Sequence, residues 1–178
     1  MAASPDKTPD PEPTMGLPSG ERSLRVGLIS DTHGLLRPEA WAFLRGSDYI
    51  VHAGDICDPD ILNELARIAP VTAVKGNCDK GPWVGRLRET ESLRVGGHLL
   101  YVIHNLAQLE VEPGALGIRI VVSGHSHKPM VQEHGGVLFI NPGSAGPRRF
   151  RLPVSVGELI ISGSRVSGRT EELPDPGR

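Results

Sequence analysis

The sequence is poor in aromatic residues, which fill 4% of its 178 positions, and it has two cysteines, Cys57 and Cys78. Two cysteines cannot knit a disulfide scaffold, so stability must come from an apolar core. No apolar run reaches the roughly 18 residues that a membrane-spanning helix needs. Neither sign of charge dominates: 19 Lys and Arg stand against 21 Asp and Glu, a formal charge of −2. That balance excludes the basic footprint of a nucleic-acid binder and the composition of an acidic, solvating chain. Residues 1–20 have neither the basic start nor the apolar stretch of a secretory signal. A reduced, cytoplasmic protein with no membrane partner is the expectation.

What the chain does have is 22 glycines and 16 prolines. Five of the prolines, Pro5, Pro9, Pro11, Pro13 and Pro18, crowd the start. With almost nothing apolar to bury there, residues 1–22 read as a disordered tail. The polar end, residues 169–178, reads as a second flexible tail. Between them, residues 23–168 have the length of one domain.

The body opens as alternating strands and helices. Apolar runs at Arg25–Ser30, Asp48–Asp55 and Val71–Asp79 predict strands. Pro38–Leu44 and Pro59–Ile68 have apolar residues at helical spacing with proline at the start, which suits helices between those strands. Strand–helix–strand–helix–strand is the signature of a parallel α/β unit. The second half is strand-rich. Residues 92–95 and 98–104 predict a hairpin through Gly96-Gly97. Further strands are expected at 118–125 and 137–144, with a closing hairpin at 154–161 and 164–168. This half reads as mainly antiparallel.

The chemistry lies at the strand ends. The first predicted strand stops at Asp31-Thr32-His33, the second at Gly54-Asp55 and the third at Gly76-Asn77-Cys78-Asp79. Later strands stop at His104 and at Gly124-His125-Ser126-His127. Open α/β sheets place their ligands outside the carboxyl ends of strands. Asp31, His33, Asp55, Asn77, His104, His125 and His127 offer oxygen and imidazole donors, the set preferred by divalent cations over a thiolate-bound ion. Seven donors are too many for one cation and suit two that share a carboxylate. Such a pair can stabilise both the attacking and leaving oxygens of a phosphoryl displacement, and a water between them loses its proton near neutral pH.

The ordered blocks D-x-H, G-D, G-N-x-D, H and G-H-x-H, followed by Asn141-Pro142-Gly143-Ser144, resemble the calcineurin-like metallophosphoesterase superfamily. The short body and the G-N-C-D block resemble its small single-domain phosphodiesterases of the YfcE type. The resemblance implies an αββα sandwich, two mixed β-sheets face to face with helices outside. It implies hydrolysis of a small phosphodiester by a metal-bridged hydroxide. The cofactors implied are two divalent ions, manganese first, with nickel, iron, zinc or magnesium as alternatives. Asp31, His33 and His127 would hold one ion, and Asn77, His104 and His125 the other, with Asp55 bridging. Asn77, Cys78 and Asp79 are the candidates for catalysis. Cys78 stands where much of the superfamily has histidine, and Asn105 stands where glycine usually follows the ligand histidine. The segment 105–117 is also short for the usual helix. The competing reading is a protein-interaction scaffold of the same fold, as in the retromer subunit. A homo-oligomer fits either reading.

Other residues have plainer readings. His52, within its strand, reads first as a half-buried sheet histidine and second as a support for Asp55. His98 and His134 read as solvated, and Cys57 as a small buried residue. Arg148, Arg149 and Arg151 read equally as a grip for a substrate phosphate and as a solvated basic turn.

Overall fold

The computed structural model describes residues 22–149 and 151–174, so the expected tail at residues 1–22 falls almost wholly outside the described residues. Among the described residues, ten strands form two five-stranded sheets. Strands β1 (Leu24–Ile29), β2 (Tyr49–His52) and β3 (Val71–Ala73) run parallel, joined by helices α1 (Pro38–Leu44) and α2 (Pro59–Ala66). The hairpin β9 (Ser155–Ser162) and β10 (Arg165–Glu172) completes this sheet in the order β10-β9-β1-β2-β3. The second sheet contains β4 (Thr90–Val95), β5 (His98–Ile103), β6 (Ile118–Val122), β7 (Met130–His134) and β8 (Val137–Asn141), in the order β4-β5-β6-β8-β7.

Both helices start as their sequence predicts. Pro38 and Pro59 occupy first-turn positions where a missing N–H costs nothing. Asp58 caps α2 by accepting from the Asp60 amide at 3.0 Å. Ile61 and Leu65, one turn apart, are buried on its inner face.

The sheets meet face to face. Val26, Leu28 and Leu159 from the first sheet pack in one cluster with Leu100, Val102 and Ile120 from the second. The other face of the first sheet buries Ile29, Ile50 and Val156 against Ala40 and Leu44 of α1 and Ile61 and Leu65 of α2. The outer face of the second sheet is covered more thinly. There Ile103, Val121 and Val137 pack with Leu106 and Val111, beside single 3-10 turns at Leu106–Gln108 and Gly114–Leu116. The two-sheet α/β architecture is as expected, with few helices on that second side.

Three features differ from the sequence expectation. The second half is not wholly antiparallel: β4–β5, β7–β8 and β9–β10 pair antiparallel as expected, but β5, β6 and β8 run parallel to one another. Their near-continuous apolar runs fit strands buried on both faces, the pattern of parallel sheets. Strand β7 gives no apolar signal: four of its five residues are exposed, and it pairs only along the edge of β8. Strand β10 continues past Gly168 to Glu172, and Leu173 behind it is buried, so ordered structure extends into the segment expected to be a flexible tail. Its alternation of half-buried and exposed residues is that of an edge strand, which composition alone reads as a polar tail.

A nearly buried carboxylate ties the first sheet together. Glu158 of β9 accepts from Arg25 Nε on β1 and, at 2.5 Å, from Arg169 Nε on β10. Burial alone would raise its pKa, but the two guanidinium groups outweigh that and hold it below the usual value. A carboxylate depressed on folding adds stability above its unfolded pKa and loses it as pH falls through the folded value. Glu158→Gln is therefore expected to cost about 2 kcal/mol at neutral pH. The deficit should shrink as pH falls through the depressed pKa of folded Glu158. Urea midpoints of both proteins at neutral pH and across the acid range check it.

Candidate metal centre

Every block of candidate ligands follows a strand, and the strand directions bring these ends to one edge of the sandwich. Asp31 and His33 follow β1, Asp55 follows β2 and Asn77 follows β3. From the second sheet, His104 follows β5, and His125 and His127 follow β6. The loops are stitched to one another by backbone hydrogen bonds, with Asp31 N donating to Gly54 O at 3.0 Å and His33 N to Asp55 O at 2.9 Å. Among the described residues, the non-glycine residues with positive φ are Asp31, His33, Asp55, Cys57, His125 and His127. Five of these six are candidate ligands. A left-handed backbone is costly for a side chain with a Cβ and persists only where the surroundings impose it, typically at functional sites.

The seven side chains converge. His33 Nε2 and His127 Nε2 face each other at 3.3 Å, and His127 Nε2 lies 3.2 Å from Asp31 Oδ1. Two imidazole nitrogens so close, aimed at one carboxylate oxygen, form a three-sided donor cage. Asp31 Oδ1 is buried and accepts no hydrogen bond. Its partner oxygen Oδ2 is satisfied, by Ser30 Oγ at 2.6 Å and the His125 amide at 3.1 Å. An orphaned buried carboxylate oxygen in such a cage fits a cation ligand. On the other side, Asn77 Oδ1 lies 3.2 Å from His104 Nε2 and 3.0 Å from His125 Nδ1. Asp55 Oδ2 stands between the groups, 3.8 Å from His33 Nε2 and 3.5 Å from His104 Nε2. The donor set thus fits divalent cations in position as well as in chemistry.

Electrostatics follow this packing. Burial works to raise the Asp55 pKa, but hydrogen bonds from His104 and from the Cys78 amide, at 2.7 Å, hold it well below the usual carboxylate range. His104 is pulled down by burial, but the contacts with Asp55 and the Ala53 carbonyl outweigh that and raise it. Its Nδ1 donates to Ala53 O at 2.6 Å, which turns Nε2 toward Asp55 and the site.

Asp79 turns both carboxylate oxygens to backbone amides. Oδ1 accepts from the amides of Ile56 and Cys57, both at 2.7 Å, and Oδ2 from Gly76 N at 2.8 Å. It locks the loop carrying Asp55 to the loop carrying Asn77. Among the described residues, no hydrogen bond joins its side chain to Cys78 or His104. Cys78 lies at the site, its Sγ 3.3 Å from Asn77 Nδ2. Burial, then the charge of Asp55, raises its pKa.

His52 is fully buried rather than half-buried. Its Nδ1 accepts from Gly54 N at 3.2 Å, so its proton sits on Nε2, which donates to Thr32 Oγ1 at 3.0 Å. Thr32 Oγ1 passes a hydrogen bond to Ile56 O at 3.2 Å. Burial pushes the His52 pKa down to about 3, so this brace between the first two ligand loops stays neutral. Asn141, Ser144 and Thr32 are supports that donor counting misses. Asn141 Nδ2 donates to Gly124 O at 2.7 Å, and Ser144 Oγ donates to Asp31 O at 3.0 Å. The signal was present for two of them, since both lie in the N-P-G-S block.

A two-sheet sandwich with carboxylates, an amide and imidazoles on the loops after its strands defines a class of α/β proteins that hold divalent cations at the strands' carboxyl ends. This chain belongs to the calcineurin-like phosphoesterase superfamily, whose domain profile matches residues 24–162. It is 39% identical over 153 residues to a probable metallophosphoesterase of Methanothermobacter thermautotrophicus, covering 79% of this chain and 88% of that one. It is 27% identical to the phosphodiesterase YfcE of Escherichia coli, covering 76% and 87%. Among solved structures it is similar to Vacuolar Protein Sorting 29 from Cryptosporidium parvum, with a TM-score of 0.74 and 25% identity over 87% of this chain and 94% of that one. Among the described residues, no helix is long and apolar enough to cross a membrane.

Proposed function

We propose that the protein is a phosphodiesterase that works with two divalent cations. Asp31, His33 and His127 would hold one, Asn77, His104 and His125 the other, and Asp55 would face both. The observation that carries this reading is the place of Asp55 Oδ2, between His33 Nε2 at 3.8 Å and His104 Nε2 at 3.5 Å. When bound, the cations supply Lewis acidity and an activated water for attack on phosphorus. Manganese is the first candidate on its preference for oxygen donors such as Asp31, Asp55 and Asn77, with nickel, iron and zinc suited to the imidazoles.

The chain's own groups do the rest. His104, fixed by the Ala53 carbonyl, cannot turn its Nε2 away from the site. Asp79 and the His52–Thr32 pair hold three ligand loops in register. Beside Asn77, His104 and His125 opens a cavity of about 780 Å³ that reaches Lys80, Asn105 and Gln108. Its size admits an ester substituent as large as a nucleoside.

The test is chelation, reloading with manganese, and hydrolysis of bis-p-nitrophenyl phosphate and p-nitrophenyl phosphate. Metal-dependent turnover that favours the diester is expected. Inactivity toward both esters in a fully loaded protein would overturn it and leave the scaffold reading, which the likeness to Vacuolar Protein Sorting 29 keeps in play.

Cys78 separates two roles, general acid or pocket wall. General acid catalysis is worth about 10²–10⁴-fold where the leaving oxygen needs a proton. Nitrophenolate leaves without one and an alkoxide does not. Cys78 Sγ is already engaged by the Asn77 amide, which favours the wall. Cys78→Ala is expected to slow alkyl and nitrophenyl diesters to within about tenfold of each other. A far larger loss on the alkyl diester alone, with metal content intact, would make Cys78 the acid.

A further inference from the structure

We infer that Arg149, His33 Nδ1 and Cys57 form a second anion site beside the metal centre, which takes a further carboxylate or phosphate on the ester substituent of the substrate. This rests on the proposed function and narrows its substrate to esters bearing a second negative charge. The segment that delivers Arg149 is bolted to the first ligand loop. Ala145 N donates to Ser30 O at 3.0 Å, Gly146 N to Asp31 O at 3.2 Å, and Arg37 Nε to Gly146 O at 3.1 Å. At its end, Arg149 Nη2 lies 3.5 Å from His33 Nδ1, and Cys57 Sγ lies 3.8 Å from the same nitrogen. The positive charge of Arg149 acts on His33, Cys57 and Cys78 alike, as expected of a guanidinium lying over the mouth of the site.

The hydrogen-bond inventory of this corner does not close once His33 serves as a ligand. A neutral imidazole that gives Nε2 to a cation keeps its proton on Nδ1. Ligand histidines ordinarily donate that proton to a carboxylate, a carbonyl or water. His104 obeys the rule through Ala53 O. His33 does not: its Nδ1 meets an arginine, which has no acceptor atom, and a sulfur, which accepts weakly. The Cys57 thiol is itself directed at Cys78 O, at 3.7 Å. Among the described residues, neither His33 Nδ1 nor Arg149 has a carboxylate or carbonyl partner. Two strong donors therefore converge with no acceptor between them. An oxyanion can receive hydrogen bonds from both. Since Nδ1 and Nε2 belong to one ring, this anion would sit one imidazole away from the phosphorus under attack, the spacing of a substituent on the same molecule.

The experiment compares methylphosphonate with phosphonoacetate, which carries an added carboxylate, by calorimetry on manganese-loaded protein. Wild type is expected to bind phosphonoacetate about tenfold more tightly, as a charge-assisted contact allows. In Arg149→Ala that advantage should fall below about twofold, with two metals per chain retained. Arg149→Lys keeps a charge but not the planar fork and should fall between them. An undiminished preference in Arg149→Ala would overturn the inference. So would equal weakening of both probes, which would place Arg149 on the phosphorus group itself. Failure of wild type to bind manganese would overturn the proposed function and this inference together, whereas bound manganese with no preference between the probes would overturn this inference alone.

Discussion

Asp55→Asn is expected to lose the metal ions and at least about 10³-fold in hydrolysis, since removing even an outer partner of a ligand costs about 10–100-fold. The change is small in shape and large in charge. An asparagine side chain can still accept from the Cys78 amide through its oxygen, so the loop can keep its 2.7 Å contact. What disappears is the negative charge between His33 and His104, where two cations would otherwise repel each other uncompensated. Oδ2 becomes either a neutral oxygen or an amide nitrogen, and the nitrogen cannot bind a cation at all. A structural role for Asp55 predicts a different pattern, with lower melting temperature and retained metal. Metal analysis beside thermal unfolding separates the two, and a variant with two metals per chain and normal turnover would remove Asp55 from the site.

Gly76→Ala should be among the most damaging single methyl additions among the described residues. An added Cβ would lie 2.1 Å from Asp55 N, 2.2 Å from Asp55 Oδ1 and 2.8 Å from Asp55 Cα. Two of these are backbone atoms, held in place because the neighbouring Ile56 and Cys57 amides are bonded to Asp79. Neither side can yield without moving a ligand loop. Overpacking of this kind costs about 3 kcal/mol, which in a domain of this size lowers the melting temperature by roughly 6–12 °C. The displaced loops carry Asp55 and Asn77, so metal affinity and activity should fall further than stability does. Gly85→Ala is the control, because a Cβ there meets nothing within 4 Å. Wild-type activity in Gly76→Ala with metal still bound would show that the two loops are looser than this packing requires.

The candidate ligands could be read in the sequence because each block is short, follows an apolar run, and contains donors whose chemistry needs no tertiary context to recognise. Apart from Asn141 and Ser144 of the N-P-G-S block, their supports could not. His52 looks like any strand histidine until Thr32 is seen across from it, 20 residues away in the chain. Asp79 sits next to Cys78, and local spacing points it at neighbours, yet its partners at Ile56 and Cys57 lie on another loop. The helices and the first parallel strands were legible from proline placement and apolar spacing. Strand β7 was not, because an edge strand that is exposed along most of its length carries almost no apolar pattern. Strand direction in the second sheet was hidden for another reason: the apolar content of β6 and β8 shows that they are buried, but which way they run is decided only by where the connecting segments cross.

The left-handed conformations of Asp31, His33, Asp55, Cys57, His125 and His127 set the terms on which such a protein evolves. Each costs on the order of 1 kcal/mol, so together they consume stability on the scale of a domain's whole margin of about 5–15 kcal/mol. Mutation offers glycine or asparagine at these positions as relief, and every such exchange removes or weakens a donor or the ring and thiol that flank one. A lineage that needs catalysis must therefore keep rejecting changes that would make its fold sturdier. A lineage that keeps the sandwich only as a surface for partners is free to accept them one at a time. Descent from enzyme to scaffold is downhill in folding energy on this architecture, and the return is uphill at each step.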